Sequence, residues 1–138
     1  MDRRSEKYNY FAYKALLDEA FAPNKTKLNY DANELPLLAT AVDVILANMA
    51  HSLNPLTRRQ EEVLSMRYPM IVSSDAPTNE AGKNSFRMIA EVIQRTDEPE
   101  KFGVLPTAAK GVVTAGLKKV AKSIQENPNL RRFITYLP

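Results

Sequence analysis

This chain of 138 residues is long enough for one domain with a sizeable core, and its 44% apolar and 25% charged residues are ordinary for a globular protein. It contains no cysteine, which excludes disulfides and thiolate zinc sites, and its only histidine, His51, excludes metal sites built on a pair of histidines. The net charge of +3 is modest, and four glycines against nine prolines argue against an architecture of strands and tight turns.

The positive charge is concentrated at one end of the chain. Between Gly103 and Pro138 six basic residues stand against a single acidic residue, Glu126, so the rest of the chain is slightly acidic. A basic terminal segment of this kind indicates a polyanionic partner. Charge alone leaves open whether that partner is DNA, RNA or the acidic face of a protein.

The start of the chain, MDRRSEKYNYF, carries early charges and lacks the apolar core of a signal peptide. No apolar run in the sequence approaches the roughly 20 residues that a membrane-spanning helix needs. We therefore expect a cytoplasmic protein that does not interact with a membrane.

Two helices are predicted in the first fifty residues. The first runs from about Ser5 to Phe21 and ends at Pro23, and the segment from Asn24 to Tyr30 is predicted to be a loop. Aromatic side chains in such a helix are more typical of a core or a protein interface than of stacking on nucleobases. The aromatic residues concerned are Tyr8, Tyr10, Phe11 and Tyr13.

The second helix is predicted from near Asp31 to about Ser52, with Asn33 as its N-cap. Asp43 is its only charged residue between positions 35 and 50. A helix with so little charge is expected to be buried on more than one side, either in the core of a bundle or in a dimer interface. The second of these alternatives makes a homo-oligomer one of the expected assemblies.

A third helix is predicted from Thr57 to Pro69, because Thr57 and Gln60 have the spacing of a capping box. The segment from Pro69 to Asn84 is predicted to be a long loop that is either mobile or functional. Ser85 is predicted to cap a fourth helix with the sequence FRMIAEVIQR. Its apolar face consists of Phe86, Ile89, Ala90 and Ile93.

The fifth helix, within the stretch from Gly103 to Gln125, has two contrasting faces. The face predicted to lie in the core consists of Ala109, Val112, Val113, Leu117, Val120 and Ile124. Another side carries Lys110, Thr114, Lys118 and Lys122 at steps of four, with Lys119 beside them. A narrow row of positive charge suits a helix that faces phosphate, and the alternative is an ordinary solvated surface. Asn127 and Pro128 end the helix, and a short basic helix or tail follows.

Signs of catalysis are absent from the sequence. Neither a GxGxxG nor a Walker pattern occurs. The acidic pairs Glu61-Glu62 and Asp97-Glu98 have no histidine or cysteine nearby, and neighbours in sequence do not face each other on a helix. We therefore predict that the protein is not an enzyme and that it has no catalytic residues, no cofactor and no metal site.

Several motifs from Leu56 onward follow the order seen in one known family. The segment from Leu56 to Tyr68 precedes a possible helix-turn-helix, whose first helix begins with Ser85-Phe86-Arg87-Met88-Ile89-Ala90 and whose turn falls at Gly103-Val104. Its second helix carries aliphatic, small and basic residues at Val112, Gly116, Leu117, Lys118 and Lys119. This order resembles region four of bacterial primary-type sigma factors, which binds the promoter −35 element. The segment from Asn127 to Phe133 resembles the tail that follows in that family.

The predicted elements and the resemblance together imply an all-α fold, a bundle of about five helices with a helix-turn-helix-like unit at its C-terminal end. They divide the chain into an N-terminal helical hairpin, residues 1–53, and the sigma-like unit, residues 54–138. The hairpin is expected to provide an interaction or oligomer surface.

The resemblance implies a transcription protein that binds duplex DNA and the core of RNA polymerase. Predicted DNA contacts are Arg87, Thr107, Lys110, Thr114, Lys118, Lys119 and Lys122. The third helix is expected to face the polymerase through Arg58, Arg59 and Glu62. Such a protein would be a reduced and divergent relative of sigma factors, of viral origin, acting in a bacterium or a virus-infected host cell.

The chain departs from the family where bases would be read. The turn is lengthened by the segment around Gln94 to Lys101, and the second helix opens with Leu105-Pro106-Thr107-Ala108-Ala109. Bidentate readout of a base needs arginine, lysine, asparagine or glutamine, and only Lys110 is near. We therefore expect phosphate binding without strong sequence reading, so that specificity would depend on a partner.

The alternative function is a non-enzymatic module for protein interaction, such as a viral structural or assembly protein. The second helix and the aromatic first helix would then form the oligomer or partner surface. The basic C-terminal segment would dock on an acidic protein. Binding of RNA in place of DNA also stays open, because the charge pattern does not distinguish the two.

Overall fold

Five α-helices and four short strands make up most of the residues that the structure describes. The computed structural model describes residues 6–24, 26–73, 75, 81–96 and 106–136. The helices are α1 (Tyr10–Phe21), α2 (Leu35–Met49), α3 (Arg58–Arg67), α4 (Phe86–Thr96) and α5 (Pro106–Glu126). The strands, of three residues each, are β1 (Glu6–Tyr8), β2 (Thr26–Leu28), β3 (Ile71–Ser73) and β4 (Ile134–Tyr136). The predicted helical bundle is confirmed.

The helix α5 lies at the centre of the fold and packs against each of the other four helices. Its predicted apolar face is buried, except that Val112 is half-buried at the edge. Buried side chains from all five helices join in one hydrophobic cluster. That cluster includes residues on both sides of position 53, so the core is continuous across the predicted division of the chain.

Close packing between α5 and α3 depends on Gly116. A Cβ atom at this position would lie 2.9 Å from Cδ1 of Leu64 and 3.3 Å from its Cγ, which is too close for an unstrained contact. Glycine inside a helix costs up to about 1 kcal/mol relative to alanine. The local cost at Gly116 is therefore offset by a helix-to-helix contact that a larger residue would prevent.

The predicted caps of α3 and α4 are confirmed. The amide nitrogen of Gln60 donates to Oγ1 of Thr57 at 3.1 Å, and that of Thr57 donates to Oε1 of Gln60 at 2.9 Å. This reciprocal pair satisfies two backbone groups that the first turn of a helix leaves without partners. At the start of α4 the amide nitrogen of Met88 donates to Oγ of Ser85 at 3.2 Å.

The predicted start and end of α2 were wrong. A turn of 3₁₀ helix at Ala32–Glu34 precedes α2, and Asn33 lies inside this turn instead of capping the helix. The capping residue of the turn is Asp31, whose amide nitrogen donates to Oε1 of Glu34 at 2.9 Å. The helix ends at Met49, before the predicted end near Ser52.

The four strands form two small antiparallel sheets, which the sequence did not predict. Strand β1 pairs with β3, with Lys7 opposite Val72, and β2 pairs with β4, with Lys27 opposite Thr135. Each strand is only three residues long, and its partner is far away along the chain. Local periodicity therefore gives no sign of either pairing.

These pairings correct four predictions. The first helix does not begin near Ser5, because residues 6–8 are extended and α1 begins at Tyr10. The predicted loop from Asn24 to Tyr30 contains β2, and the C-terminal tail contains a 3₁₀ turn at Arg131–Phe133 followed by β4. The predicted loop from Pro69 to Asn84 contains β3.

The last residues of that predicted loop are fixed to α1 and α3. Gly82 has a φ of 71°, which favours glycine, and a Cβ there would overlap the backbone carbonyl of Phe11. The amide nitrogen of Asn84 donates to the carbonyl of Arg67 at 2.8 Å, and its Nδ2 donates to that of Met66 at 2.8 Å. This end of the segment is thus packed, while residues 74 and 76–80 lie outside the described part of the chain.

Candidate nucleic-acid interface

The solvent-facing side of α5 carries the predicted row of positive charge. Lys110, Thr114, Lys118 and Lys122 are all exposed. At a rise of about 1.5 Å per residue, the row from Lys110 to Lys122 is about 18 Å long. Because four residues turn the helix slightly more than once, the row is inclined to the helix axis. The rigid core beneath α5 therefore presents three ammonium groups along one line.

None of these three lysines forms an ion pair with an acidic residue in the part of the chain that the structure describes. Arginines of the neighbouring helices do form such pairs. Arg58 and Arg59 both pair with Glu62, at 3.2 and 3.4 Å, and Arg87 pairs with Glu91 at 3.6 Å. The lysine row thus presents positive charge without a carboxylate in contact, which favours an anionic partner.

Lys119 does not belong to this exposed row. Its side chain is half-buried, and its Nζ donates to the carbonyl of Pro55 and to Oε1 of Gln60, both at 2.9 Å. These bonds tie α5 to the segment that leads into α3. A direct contact from Lys119 to a phosphate along the row, as predicted from the sequence, would have to be made from this fixed position.

The two predicted threonine contacts are both exposed on the first half of α5. The hydroxyl of Thr114 donates to the carbonyl of Lys110 at 2.9 Å, so it leaves only its lone pairs toward solvent. Thr107 lies in the first turn of the helix. Apart from Lys110, the exposed residues from Ala108 to Ala115 that lie between and beside them are small: Ala108, Gly111 and Ala115. The side chains on this half of α5 therefore project little from the helix and provide few hydrogen-bond donors.

The predicted contact from α4, Arg87, is exposed over 86% of its side chain and lies beside Glu91 on the next turn. An exposed pair of this kind contributes little to stability and can be exchanged for another partner. The turn that would join α4 to α5 in a helix-turn-helix, including Gly103 and Val104, lies outside the described residues. The helix-turn-helix geometry therefore stays a prediction.

The three residues predicted to meet a polymerase lie together on α3. Both oxygens of the Glu62 carboxylate are engaged, Oε1 by Arg58 and Oε2 by Arg59. The side chain of Arg58 is 93% exposed, whereas those of Arg59 and Glu62 are each about 40% exposed. This compact surface group carries two positive charges and one negative charge.

A second charged cluster, which was not predicted from the sequence, links α1, α3 and the segment before α4. The carboxylate of Glu19 accepts hydrogen bonds from the hydroxyl of Tyr68 and from Nζ of Lys83, the latter at 2.7 Å. Arg67 lies 3.7 Å away and stacks on the ring of Phe86 at 3.9 Å. The five residues come from distant parts of the chain, so no local pattern indicates their contact.

The pKa values of this cluster follow from its surroundings. Burial alone would raise the pKa of Glu19, but hydrogen bonds from Lys83 and Tyr68 and the charges of Lys83 and Arg67 outweigh burial and lower it. Burial, followed by the bond to Glu19, raises the pKa of the Tyr68 hydroxyl well above its ordinary value. Glu19 is therefore held as a carboxylate and Tyr68 as a neutral donor, an arrangement that stabilises structure and offers no acid–base chemistry near neutral pH.

The tyrosines of β1 and α1 are divided between core and surface. Tyr13 is fully buried and donates to Oδ1 of Asp43 at 2.7 Å, and burial followed by this bond raises its pKa far above the ordinary value. Tyr8 and Tyr10 are exposed and stack with their ring centroids 6.0 Å apart. The prediction that these aromatics serve a core is thus confirmed for Tyr13.

Two further kinds of site were sought among the described residues. No group of three or more histidine, cysteine or acidic side chains there is arranged to hold a metal ion. None of the helices in the described ranges combines the length and the hydropathy needed to cross a membrane.

Comparison with protein-family models, with curated proteins and with solved structures finds no match to this chain. The resemblance to sigma region four consequently stays a prediction that depends on its short motifs. The surface chemistry of α5 is then the principal guide to function. It combines a rigid helix, a row of lysines without acidic partners in the described chain, and small residues beside them.

Proposed function

We propose that this protein binds duplex DNA through Lys110, Lys118 and Lys122, as a transcription protein that resembles region four of a sigma factor. The observation that carries the proposal is the row of three lysines, about 18 Å long, that have no acidic partner among the described residues. Positive groups repeated along one helix face suit the regularly repeated phosphates of a DNA strand.

The surface beside the row favours backbone contact over base reading. Ala108, Gly111 and Ala115 permit a close approach to the helix, and they offer no side-chain group that could distinguish one base from another. Lys110 is the one side chain in the first half of α5 with a suitable donor. Arg87 and Thr107 are proposed as further phosphate contacts at the edge of the surface. DNA of any sequence should therefore bind with similar affinity.

In this proposal the core of RNA polymerase supplies the specificity that α5 lacks. The contact would be made by Arg58, Arg59 and Glu62 on α3, which correspond in the resemblance to a segment that faces the polymerase. Support from geometry is that α3 packs directly on α5, so a partner bound to α3 would hold the lysine row in a defined position.

The test is the affinity for a duplex measured by fluorescence anisotropy across a series of salt concentrations. For each lost phosphate contact we expect the log–log slope to flatten by about 0.9. Lys118→Ala should therefore flatten the slope by about one contact, with an equal effect on duplexes of unrelated sequence. The matched control is Lys14→Ala, which removes one exposed lysine from α1 and should leave the slope unchanged.

Three results would contradict the proposal. An absence of duplex binding at low salt would remove it entirely. An equal effect of Lys14→Ala and Lys118→Ala would show that binding depends only on net charge and not on the lysine row. Tighter binding to single-stranded RNA than to the duplex would show that RNA, and not DNA, is the ligand.

A specific observation favours the alternative function, a protein-interaction module or viral assembly protein. Leu37 and Val44 on α2 are more than half exposed, at 57% and 54%, and Leu53 after the helix is fully exposed. Asp43, the only charge of this helix, is bonded to Tyr13 and half-buried. If this surface carries the function, Leu37→Lys with Val44→Lys should abolish an oligomer measured by light scattering, while DNA binding is absent from the wild type.

A further inference from the structure

A cleft of about 240 Å³ lies where the residues after α2 meet the last turns of α5. One wall is formed by Ser52, Leu53 and Asn54, and the other by Lys119, Lys122 and Ser123. A cleft of this volume has room for several water molecules. It is large enough for a phosphate group together with part of the molecule to which the phosphate is attached.

The ammonium group of Lys119 is held in the wall of this cleft before any ligand arrives. It donates to the carbonyl of Pro55 and to Oε1 of Gln60, both at 2.9 Å, and Gln60 is itself fixed by its capping bond to Thr57. Both acceptors are uncharged, so the positive charge of Lys119 is not neutralised. An ammonium group has three donors, and the third remains for a ligand. Because the side chain is already ordered, binding costs little further conformational entropy.

A second cation and neutral donors face the same space. Lys122 follows Lys119 by three residues, so the two project from the same side of the helix. Lys122 has no ion pair with a described acidic residue. Ser123 and Asn54 add a hydroxyl and an amide. The hydroxyl of Ser52 is already used, since it donates to the carbonyl of Met49 at 2.8 Å.

We propose that this cleft is a binding site for a phosphate group, with Lys119 and Lys122 as its two cations. A phosphate monoester carries a charge of about −1.5 to −2 at neutral pH, which two ammonium groups match, and its oxygens accept from donors in several directions. A carboxylate carries one charge and would leave one ammonium group unmatched. The ligand is either a free phosphorylated small molecule, whose monoester matches both cations, or a phosphate of a nucleic-acid strand, a diester with a single charge whose oxygens accept from the same donors. The inference does not depend on the DNA-binding proposal.

Glu126 limits the affinity of the site. It lines the same cleft one turn beyond Lys122, and its exposed carboxylate repels an anion. Replacing it by an uncharged residue of the same shape, Glu126→Gln, should therefore strengthen phosphate binding. Glu91→Gln on α4 is the matched control, since it makes the same change in net charge outside the cleft.

The experiment is an NMR titration of the full chain with inorganic phosphate at pH 7.5, repeated with sodium chloride at equal ionic strength. Phosphate should shift the signals of Lys119, Lys122 and Ser123, and chloride should not. Lys122→Gln should weaken binding roughly tenfold or more, as expected for the loss of one charge-assisted hydrogen bond. Lys14→Gln, the matched control that removes an exposed lysine from α1, should leave the affinity unchanged. Ser123→Ala gives a test that does not change the charge and should weaken binding less.

Equal shifts in phosphate and chloride would overturn the site, and so would an equal loss from Lys14→Gln and Lys122→Gln. The source of the phosphate is decided by a duplex titration of Ser123→Ala, which keeps all the lysines. Weaker binding of both inorganic phosphate and duplex would identify a strand phosphate as the ligand. Weaker binding of phosphate alone would identify a free phosphorylated molecule. Duplex binding without binding of inorganic phosphate would overturn the proposed phosphate site in the cleft, while the proposed DNA contact by the lysine row would stand.

Discussion

Two glycines in this protein differ in whether their surroundings leave room for a Cβ atom. Gly82 has a positive φ, and its α-carbon lies against the backbone of Phe11 and Ala12 in α1. Gly111 lies on the exposed side of α5, where a Cβ would meet no atom within 4 Å. The first glycine is required by a close approach of two backbone segments, whereas the second only weakens a helix.

Gly82→Ala is expected to destabilise the protein by about 2 kcal/mol or more. Alanine at position 82 would have to adopt a positive φ, which alanine avoids, and its Cβ would have to displace the backbone of α1. Each of these effects costs about 1–3 kcal/mol. The free energy of unfolding measured in urea checks the value. Gly111→Ala is the control with the same added methyl group, and it should stabilise the protein by up to about 1 kcal/mol. If Gly82→Ala left the free energy of unfolding unchanged, the segment around Gly82 would not be packed on α1.

At the scale of elements, the cluster around Glu19 joins three parts of the fold that are distant in sequence. Glu19 comes from α1, Arg67 and Tyr68 come from the end of α3, and Lys83 precedes α4. Since the pKa of Glu19 is lowered by folding, its carboxylate form contributes stability above its unfolded pKa near 4.5. This contribution is lost as the pH falls through the lower, folded pKa.

Glu19→Gln should therefore destabilise the protein at pH 7 and have a progressively smaller effect as the pH falls through the lowered pKa of Glu19 in the folded state. Urea unfolding of both proteins between pH 7 and pH 3 measures the difference. Glu91→Gln, which breaks the exposed pair with Arg87, should change the free energy of unfolding by less than about 1 kcal/mol at any of these pH values. A Glu19→Gln effect that is independent of pH would show that its charge does not matter.

The helices could be predicted from the sequence because their signals are local. The caps at Thr57 and Ser85 and the apolar face of α5 all lie within a few residues of the structure they specify. The strands could not be predicted, since three residues carry no periodicity and the partner of Lys27 is Thr135. The same reason explains why the start of the first helix was misplaced.

The candidate site was predictable to a similar degree. A step of four residues placed Lys110, Lys118 and Lys122 on one exposed line, which the structure confirms as geometry. The same spacing could not show that Lys119 is bonded to Pro55 and Gln60, because these contacts join separate parts of the chain. The cleft beside Lys119 therefore appears only when the segment after α2 is placed against α5.

For the whole molecule, the central position of α5 bears on how the chain unfolds. Because α5 packs against all four other helices and the buried residues form one cluster, the N-terminal segment 1–53 and the remainder share a core. A core shared in this way favours a single cooperative transition. Two independent units, as the predicted division implies, would instead unfold separately.

Cooperative unfolding can be tested with two variants that each remove one methylene group, Ile45→Val in α2 and Ile89→Val in α4. Both isoleucines are buried, at 6% and 0% exposure, and each change should cost about 0.5–1.5 kcal/mol. In one cooperative unit, either variant shifts the urea midpoint reported by NMR signals from both segments, whereas Lys14→Gln on the exposed side of α1, a change between residues of similar helix propensity, shifts neither. If each variant moved only the signals of its own segment, the chain would consist of two separate units, and α5 would not transmit stability between them.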